Sequence, residues 1–227
     1  MQVYMDKPKQ TLSQIIATST LLATLATACL ADLPPAPAIP GGSTSFGKTL
    51  SQWQEIYWRW FYNDLSIPTD VNGNPVVDNV VLMRFPVTSG DGTAGVIDLT
   101  LKAQQPFMLP LWNILGNAYN DGSIDPYLSE EIFRTLDIKF AIDGVTVVNT
   151  ANVRQFYTKF DFNPPIPYNF PPAVSFIFLQ GIGITHAPLT PGNHVFTLDA
   201  KNTDTVDFFG IQLEYHNTWN VTVLPSR

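Results

Sequence analysis

Near the end of the chain, Ile211, Leu213, Tyr215, Trp219, Val221 and Val223 alternate with Gln212, Glu214, His216, Thr218, Asn220 and Thr222. A period of two sends the first set into a core and the second into water, which predicts a half-buried antiparallel strand over 208–224. The segment AVSFIFLQ, 173–180, has no alternation and reads as a strand covered on both faces. Apolar and β-branched runs at 80–85, 95–101, 107–112, 138–148, 154–162 and 194–200 give further strands, separated by Gly, Pro, Asn and Asp turns. Pro191-Gly192 suits a type II turn into the 194–200 strand.

Residues 51–68, SQWQEIYWRWFYNDLSIP, follow a different period. Leu50, Trp53, Tyr57, Trp60 and Phe61 recur at helical spacing, and Trp58 and Tyr62 widen that stripe. Thr49 and Ser51 each have a glutamine three residues on, the spacing of a capping box, and Pro68 ends the element. Six aromatic side chains in this stretch each bury about 150–250 Å² when covered. Leaving all six in water would forgo more than the ~5–15 kcal/mol by which domains are stable. The helix is therefore expected to seal a sheet, with the off-stripe rings Trp58 and Tyr62 left to stack on a ligand. A membrane interface is a poorer cover, because only Lys48 and Arg59 lie near and interfacial helices carry a basic polar face. A second helix is expected in DPYLSEEIFRTLD, with Asp125 as N-cap, Pro126 at the first helical position, and Glu130 and Glu131 against the dipole. The sum is an all-β fold, a mainly antiparallel β-sandwich (Ig-like or jelly-roll-like), with an N-terminal aromatic helix and one inserted helix.

The first residues carry neither period. Lys7 and Lys9 precede an apolar, small-residue run from Ile15 to Cys29, the layout of an export signal too short to span a bilayer. Leu25-Ala26-Thr27-Ala28-Cys29 is similar to the bacterial lipobox, which implies lipidation of Cys29, the only cysteine in the chain. A simple secretory cut after Ala28 or Ala31 is the alternative. The expected organisation is a signal peptide over 1–28, a Pro/Gly-rich tether over 29–47 and a single β-sandwich domain over 48–227. Localisation then follows as exported, either a bacterial cell-surface lipoprotein or a secreted protein.

Composition narrows the partners. The chain has 227 residues, 45% hydrophobic, 14% charged, with net charge −7. An acidic chain without a basic stripe excludes nucleic acid and leaves contact with a membrane to the lipid on Cys29 alone. The tryptophan-rich helix ending in Ser66-Ile67-Pro68, DVNGNPVVD (70–78), IDGVTV (142–147), LTPGNH (189–194) and YHNTWNVTV (215–223) together resemble a group of exported bacterial β-domain proteins of unknown function. That resemblance implies an exported β domain and carries no site residues with it; many of the group have cysteines that this chain lacks.

Candidate chemistry is sparse. No GxSxG elbow, phosphate loop, dinucleotide fingerprint or CxxC pair occurs. Glu214 and His216 share a strand face and form a possible carboxylate–imidazole pair for proton transfer. His186, His194 and His216 lack metal-ligand spacing. Asn117, Asn120 and Asp121 offer hard oxygen donors to calcium, although turn chemistry explains them as well; the Asp70–Asp78 stretch is similar but lacks the glycine of an EF-hand loop. Otherwise no cofactor is indicated. The proline-rich FNPPIPYNFPPA (162–173) reads as a stiff loop presenting Tyr168 and Phe170, suited to a sugar or peptide because little entropy is lost on binding. With Trp58 and Tyr62, these rings make up the candidate ligand site. The expected function is non-enzymatic binding of an extracellular ligand, such as a glycan, or of an envelope protein. The alternatives are an extracellular hydrolase acting on polysaccharide through loop carboxylates, and a matrix or assembly subunit.

Overall fold

A computed structural model describes residues 38–39, 43–202 and 213–226. The signal peptide, Cys29, the first part of the tether and the 208–212 start of the last predicted strand lie outside the described residues. Two five-stranded sheets pack face to face. The first has the order β1 (Val76–Val77), β2 (Val80–Leu82), β4 (Phe107–Tyr119), β8 (Ala173–His186), β7 (Tyr157–Phe170). The second runs β3 (Asp91–Lys102), β10 (Glu214–Leu224), β9 (Gly192–Lys201), β5 (Asp137–Ile142), β6 (Val145–Asn149). The fold is thus an all-β sandwich with two added helices. Most pairs are antiparallel, but β2 runs parallel to β4 and β10 parallel to β3. The last strand is therefore antiparallel only toward β9, and its other neighbour arrives by a long crossover.

Between the sheets, Phe107, Leu109, Ile182 and Ile184 of the first meet Phe140, Phe196, Leu198, Trp219 and Val221 of the second, all nearly inaccessible. The Phe107 and Phe196 rings lie 5.3 Å apart, and Trp219 Nε1 donates to the Arg84 carbonyl at 2.8 Å. The alternation read over 213–223 holds, since Asn217, Trp219, Val221 and Val223 are buried. Strand β8 meets the expected double burial of 173–180 only in part: Val174 is exposed, Ser175 and Ile177 are half-buried, and the continuously buried stretch is Phe178–His186.

The outer face of the first sheet explains that double burial. Helix α1 (Leu50–Phe61) lies on it. Thr49 closes the capping box with Gln52, through Gln52 N–H to Oγ1 at 3.3 Å and Thr49 N–H to Oε1 at 2.9 Å. The stop is Asn63 in the left-handed region (φ 61°), five residues before Pro68. The buried face holds Leu50, Trp53, Gln54, Tyr57 and Trp58, whereas Phe61 is 39% exposed. This corrects the reading of Trp58 as off-stripe. Gln54 was the misleading residue: it sits at the centre of the stripe, fully buried, donating to Thr158 Oγ1 at 2.8 Å and filling the space over Gly183.

Three further expectations change. Residues 38–39 and 43–47, assigned to the tether, lie against β8: Ile39 N–H donates to the Thr185 carbonyl at 3.1 Å, and the Ser45 and Thr185 hydroxyls meet at 2.7 Å. The run 138–148 is a hairpin, because Asp143 (φ 51°) and Gly144 (φ 78°) form a turn with both central residues left-handed. The second helix, α2, covers only Glu130–Arg134 and is capped by Ser129. Asp125 is not its cap. Its carboxylate instead accepts from Asn117 N–H (2.9 Å), Asn117 Nδ2 (2.8 Å) and Tyr119 Oη (2.8 Å), tying the 120–125 turn to β4. Among the described residues no helix is long and apolar enough to cross a membrane.

Candidate functional site

The proline-rich segment is not a free loop. Up to Phe170 it belongs to β7, where Ile166 pairs with Phe176 and Phe170 with Ala173. Proline is tolerated because β7 is an edge strand, and Pro164, Pro165 and Pro167 have no N–H to leave unpaired. Arg59 binds this hairpin to α1. Its Nη2 donates to the Pro164 carbonyl at 2.7 Å, while its other nitrogens hold Glu55 (3.0 Å) and Asp64 (2.5 Å).

The clasp brings the four predicted ligand residues into one chain of rings. Trp58 stacks on Tyr62 (6.0 Å between centroids), Tyr62 meets Tyr168 edge-on (5.6 Å), and Tyr168 lies against Phe170 (6.1 Å). Phe176 supports the middle of the row from beneath, 4.5 Å from Tyr62 and 4.2 Å from Tyr168. Trp58 is only 3% exposed, so it is the footing of this row and not a contact surface. Tyr62, Tyr168 and Phe170 are partly accessible, and Phe61, 5.3 Å from Phe85, extends the apolar surface. Burial raises the Tyr168 hydroxyl above the usual tyrosine range, so it remains a neutral donor. Asn120 N–H donates to the Pro172 carbonyl at 3.0 Å, which sets the exposed Asn120 and Asp121 beside the tip of the hairpin.

Those two residues and Asn117 are the calcium candidates. Asn117 is inside β4, with its amide turned onto Asp125. Asp121 Oδ1 accepts from Ser123 N–H (2.9 Å) and Ser123 Oγ (2.6 Å), as in an ordinary Asx turn. Among the described residues, no group of three or more His, Cys, Asp or Glu side chains is placed to share a metal ion.

Glu214 and His216 do come together, with Nε2 to Oε1 at 3.1 Å. The register adds Asp199, directly opposite on β9, at 2.7 Å from Nδ1. Asp199 first and Glu214 second raise the His216 pKa, which favours the imidazolium. A protonated ring with both N–H groups directed at carboxylates has no lone pair for a general base. The other histidines are elsewhere: His194 bridges Asp143 (2.6 Å) and the Thr190 carbonyl (2.8 Å), and His186 stacks on Phe107 at 5.1 Å.

One feature had no signal in the sequence. Where α2, the 3₁₀ turn Val153–Phe156 and the start of β7 converge, Glu130, Phe133, Arg134, Arg154 and Tyr157 line an open depression of about 220 Å³. Its residues come from two short stretches, Glu130–Arg134 and Arg154–Tyr157, twenty positions apart, and no short motif announces them.

No family model matches the chain, and a search of the curated proteins gives no match either.

Proposed function

We propose that this protein is an exported, non-enzymatic binding domain that captures an uncharged ligand with an apolar face, such as a neutral glycan, on the ring row at the end of α1. The observation carrying this reading is that Tyr62, Tyr168 and Phe170 stay partly exposed in a rigid, proline-framed setting, while Trp53, Tyr57 and Trp58 of the helix are sealed. Rings held by packing lose little freedom when a ligand lands, and Asn120, Asp121 and Asn169 supply polar groups at the margin. The export leader, and lipidation at Cys29 as the means of holding the domain at a cell surface, belong to the same proposal and rest on the sequence alone.

Two observations weigh against the other readings. The saturated His216 is a poor proton acceptor for a hydrolase. Edge-to-edge assembly is opposed by blunted edges: prolines on β7, Asn152 Nδ2 on the Val147 carbonyl of β6 (3.0 Å), and Asn74 Nδ2 on the Thr100 carbonyl of β3 (2.6 Å).

A glycan array probed with the purified protein and its Tyr168→Ala variant tests the reading. A neutral glycan bound by the wild type and lost by about tenfold in the variant, with an unchanged melting temperature, supports it. Equal binding by both proteins, or no glycan bound, overturns it.

A further inference from the structure

The depression beside α2 is rich in hydrogen-bond donors that lack acceptors. Arg134 is neutralised locally, lying 3.8 Å from Glu130 and 3.3 Å from Glu131. Arg154 is exposed and forms no ion pair or hydrogen bond among the described residues. Tyr157 is fixed by the core. Gln180, fully buried in β8, accepts from Leu128 N–H at 2.7 Å and donates through Nε2 to the Leu128 carbonyl and to Tyr157 Oη, both at 3.0 Å. The Tyr157 oxygen thus receives a hydrogen bond from the interior, and its own proton has no acceptor among the described residues. Phe133, packed against Tyr157 with centroids 5.0 Å apart, gives the depression an apolar floor. Glu130 supplies one acceptor at the rim.

We propose that this depression binds a monoanionic sugar acid, with its carboxylate on the Arg154 guanidinium and the Tyr157 hydroxyl. The C–H face of the sugar rests on Phe133, and a ring hydroxyl donates to Glu130. Each part of the ligand follows from a feature of the site. One unpaired guanidinium beside a free O–H matches the two oxygens of a carboxylate. Glu130 and Glu131 so close by disfavour a dianion such as sulfate. The volume is below the ~300–1,000 Å³ of drug-sized pockets, which limits the guest to about one sugar unit. Tyr157 pairs with Ile182 and Pro167, next to Tyr168, pairs with Ser175, seven residues away on β8 and so roughly 23 Å at strand rise; Tyr157 packs with the inter-sheet core while Tyr168 packs with the helix layer. The site is therefore independent of the ring row.

Two-dimensional NMR titration of the intact protein with glucuronate, glucose, acetate and sulfate tests the proposal. The expected result is saturable binding of glucuronate that shifts the Arg154 and Tyr157 signals and weakens with added salt. Arg154→Gln should weaken it about fivefold, the scale of a solvent-exposed ion pair, with part recovered in Arg154→Lys. Tyr157→Phe should weaken it by a smaller factor, and Tyr168→Ala should leave it unchanged. No saturable shift with glucuronate overturns the proposal. So does equal binding of glucose, acetate or sulfate, or a loss of glucuronate binding in Tyr168→Ala but not in Arg154→Gln. Arg154 is exposed, so Arg154→Gln should fold, and a melting curve matching wild type confirms it.

Discussion

The two sheets have the same number of strands and opposite outer faces. The outer face of the first is apolar, presenting Val80, Leu82, Met108, Ile166, Phe176 and Leu179 to the helix. The outer face of the second carries Asp98, Asn193, Asp199, His216, Thr218, Asn220 and Thr222. These side chains bond to one another across strands, with Asn220 Nδ2 to Asp98 at 2.8 Å and Thr222 Oγ1 to Asn193 at 3.2 Å. One sheet therefore requires a cover, and the other is finished by water. The aromatic helix exists to meet the first requirement, and the ring row is the margin where helix and hairpin together extend past the strands.

The contrast makes the largest mutational effects fall under the helix. Trp53→Ala removes a fully buried ring and its Nε1 donation to the Ser45 carbonyl at 2.9 Å, and should cost about 3–5 kcal/mol in urea denaturation. Gly116→Ala comes next, at about 1–3 kcal/mol, because the added Cβ would fall 2.0 Å from Cε1 of Phe178 in a strand packed on both faces. Tyr57→Phe should act in the opposite direction. The Tyr57 hydroxyl is buried without a partner among the described residues, and burial pushes its pKa far up, so deleting it should stabilise the fold by about 1 kcal/mol. On the open sheet, Asn220→Ala should change stability by no more than about 0.5 kcal/mol. An Asn220→Ala cost equal to that of Trp53→Ala would erase the distinction between the faces.

The smallest effect is a titration. The folded His216 pKa lies above its ordinary value, so its contribution is complete below about pH 6.5 and fades as pH rises through the folded value. NMR should find the His216 pKa raised in wild type and lowered toward the ordinary value by Asp199→Asn, because the Asp199 hydrogen bond contributes most to the shift.

Periodicity carried the sequence reading wherever burial follows period. The alternation through Trp219 and Val223 and the Thr49 cap appear as expected, and the unbroken run of 173–180 is doubly covered only from Phe178 onward. It failed where one residue departs from its type. Gln54 looks polar and is central to the helix interface, and Asp125 has the chemistry of a cap but closes a strand turn. Asp143-Gly144 is a plain hairpin signal within an otherwise continuous β run, and it divides that run into β5 and β6. The prolines of β7 suggested a loop because their edge position, the condition that admits them, is a property of the sheet. The site reading behaves similarly. Two rings on α1 and two on β7 were individually legible, but the Arg59 clasp that unites them was not. Asp199 opposite His216 depends on strand register, and the Arg154–Tyr157 depression on three segments meeting, so neither could be seen in one dimension.

Acrylamide quenching of tryptophan fluorescence tests the helix seal most directly. Of the five tryptophans, Trp53, Trp58, Trp112 and Trp219 are at most 6% exposed, and only Trp60 is partly accessible. The folded monomer should show weak quenching overall, with a minor quenchable fraction that disappears in Trp60→Phe. Ready quenching of most of the emission in the folded state would mean that the helix does not cover the sheet, and would contradict the account.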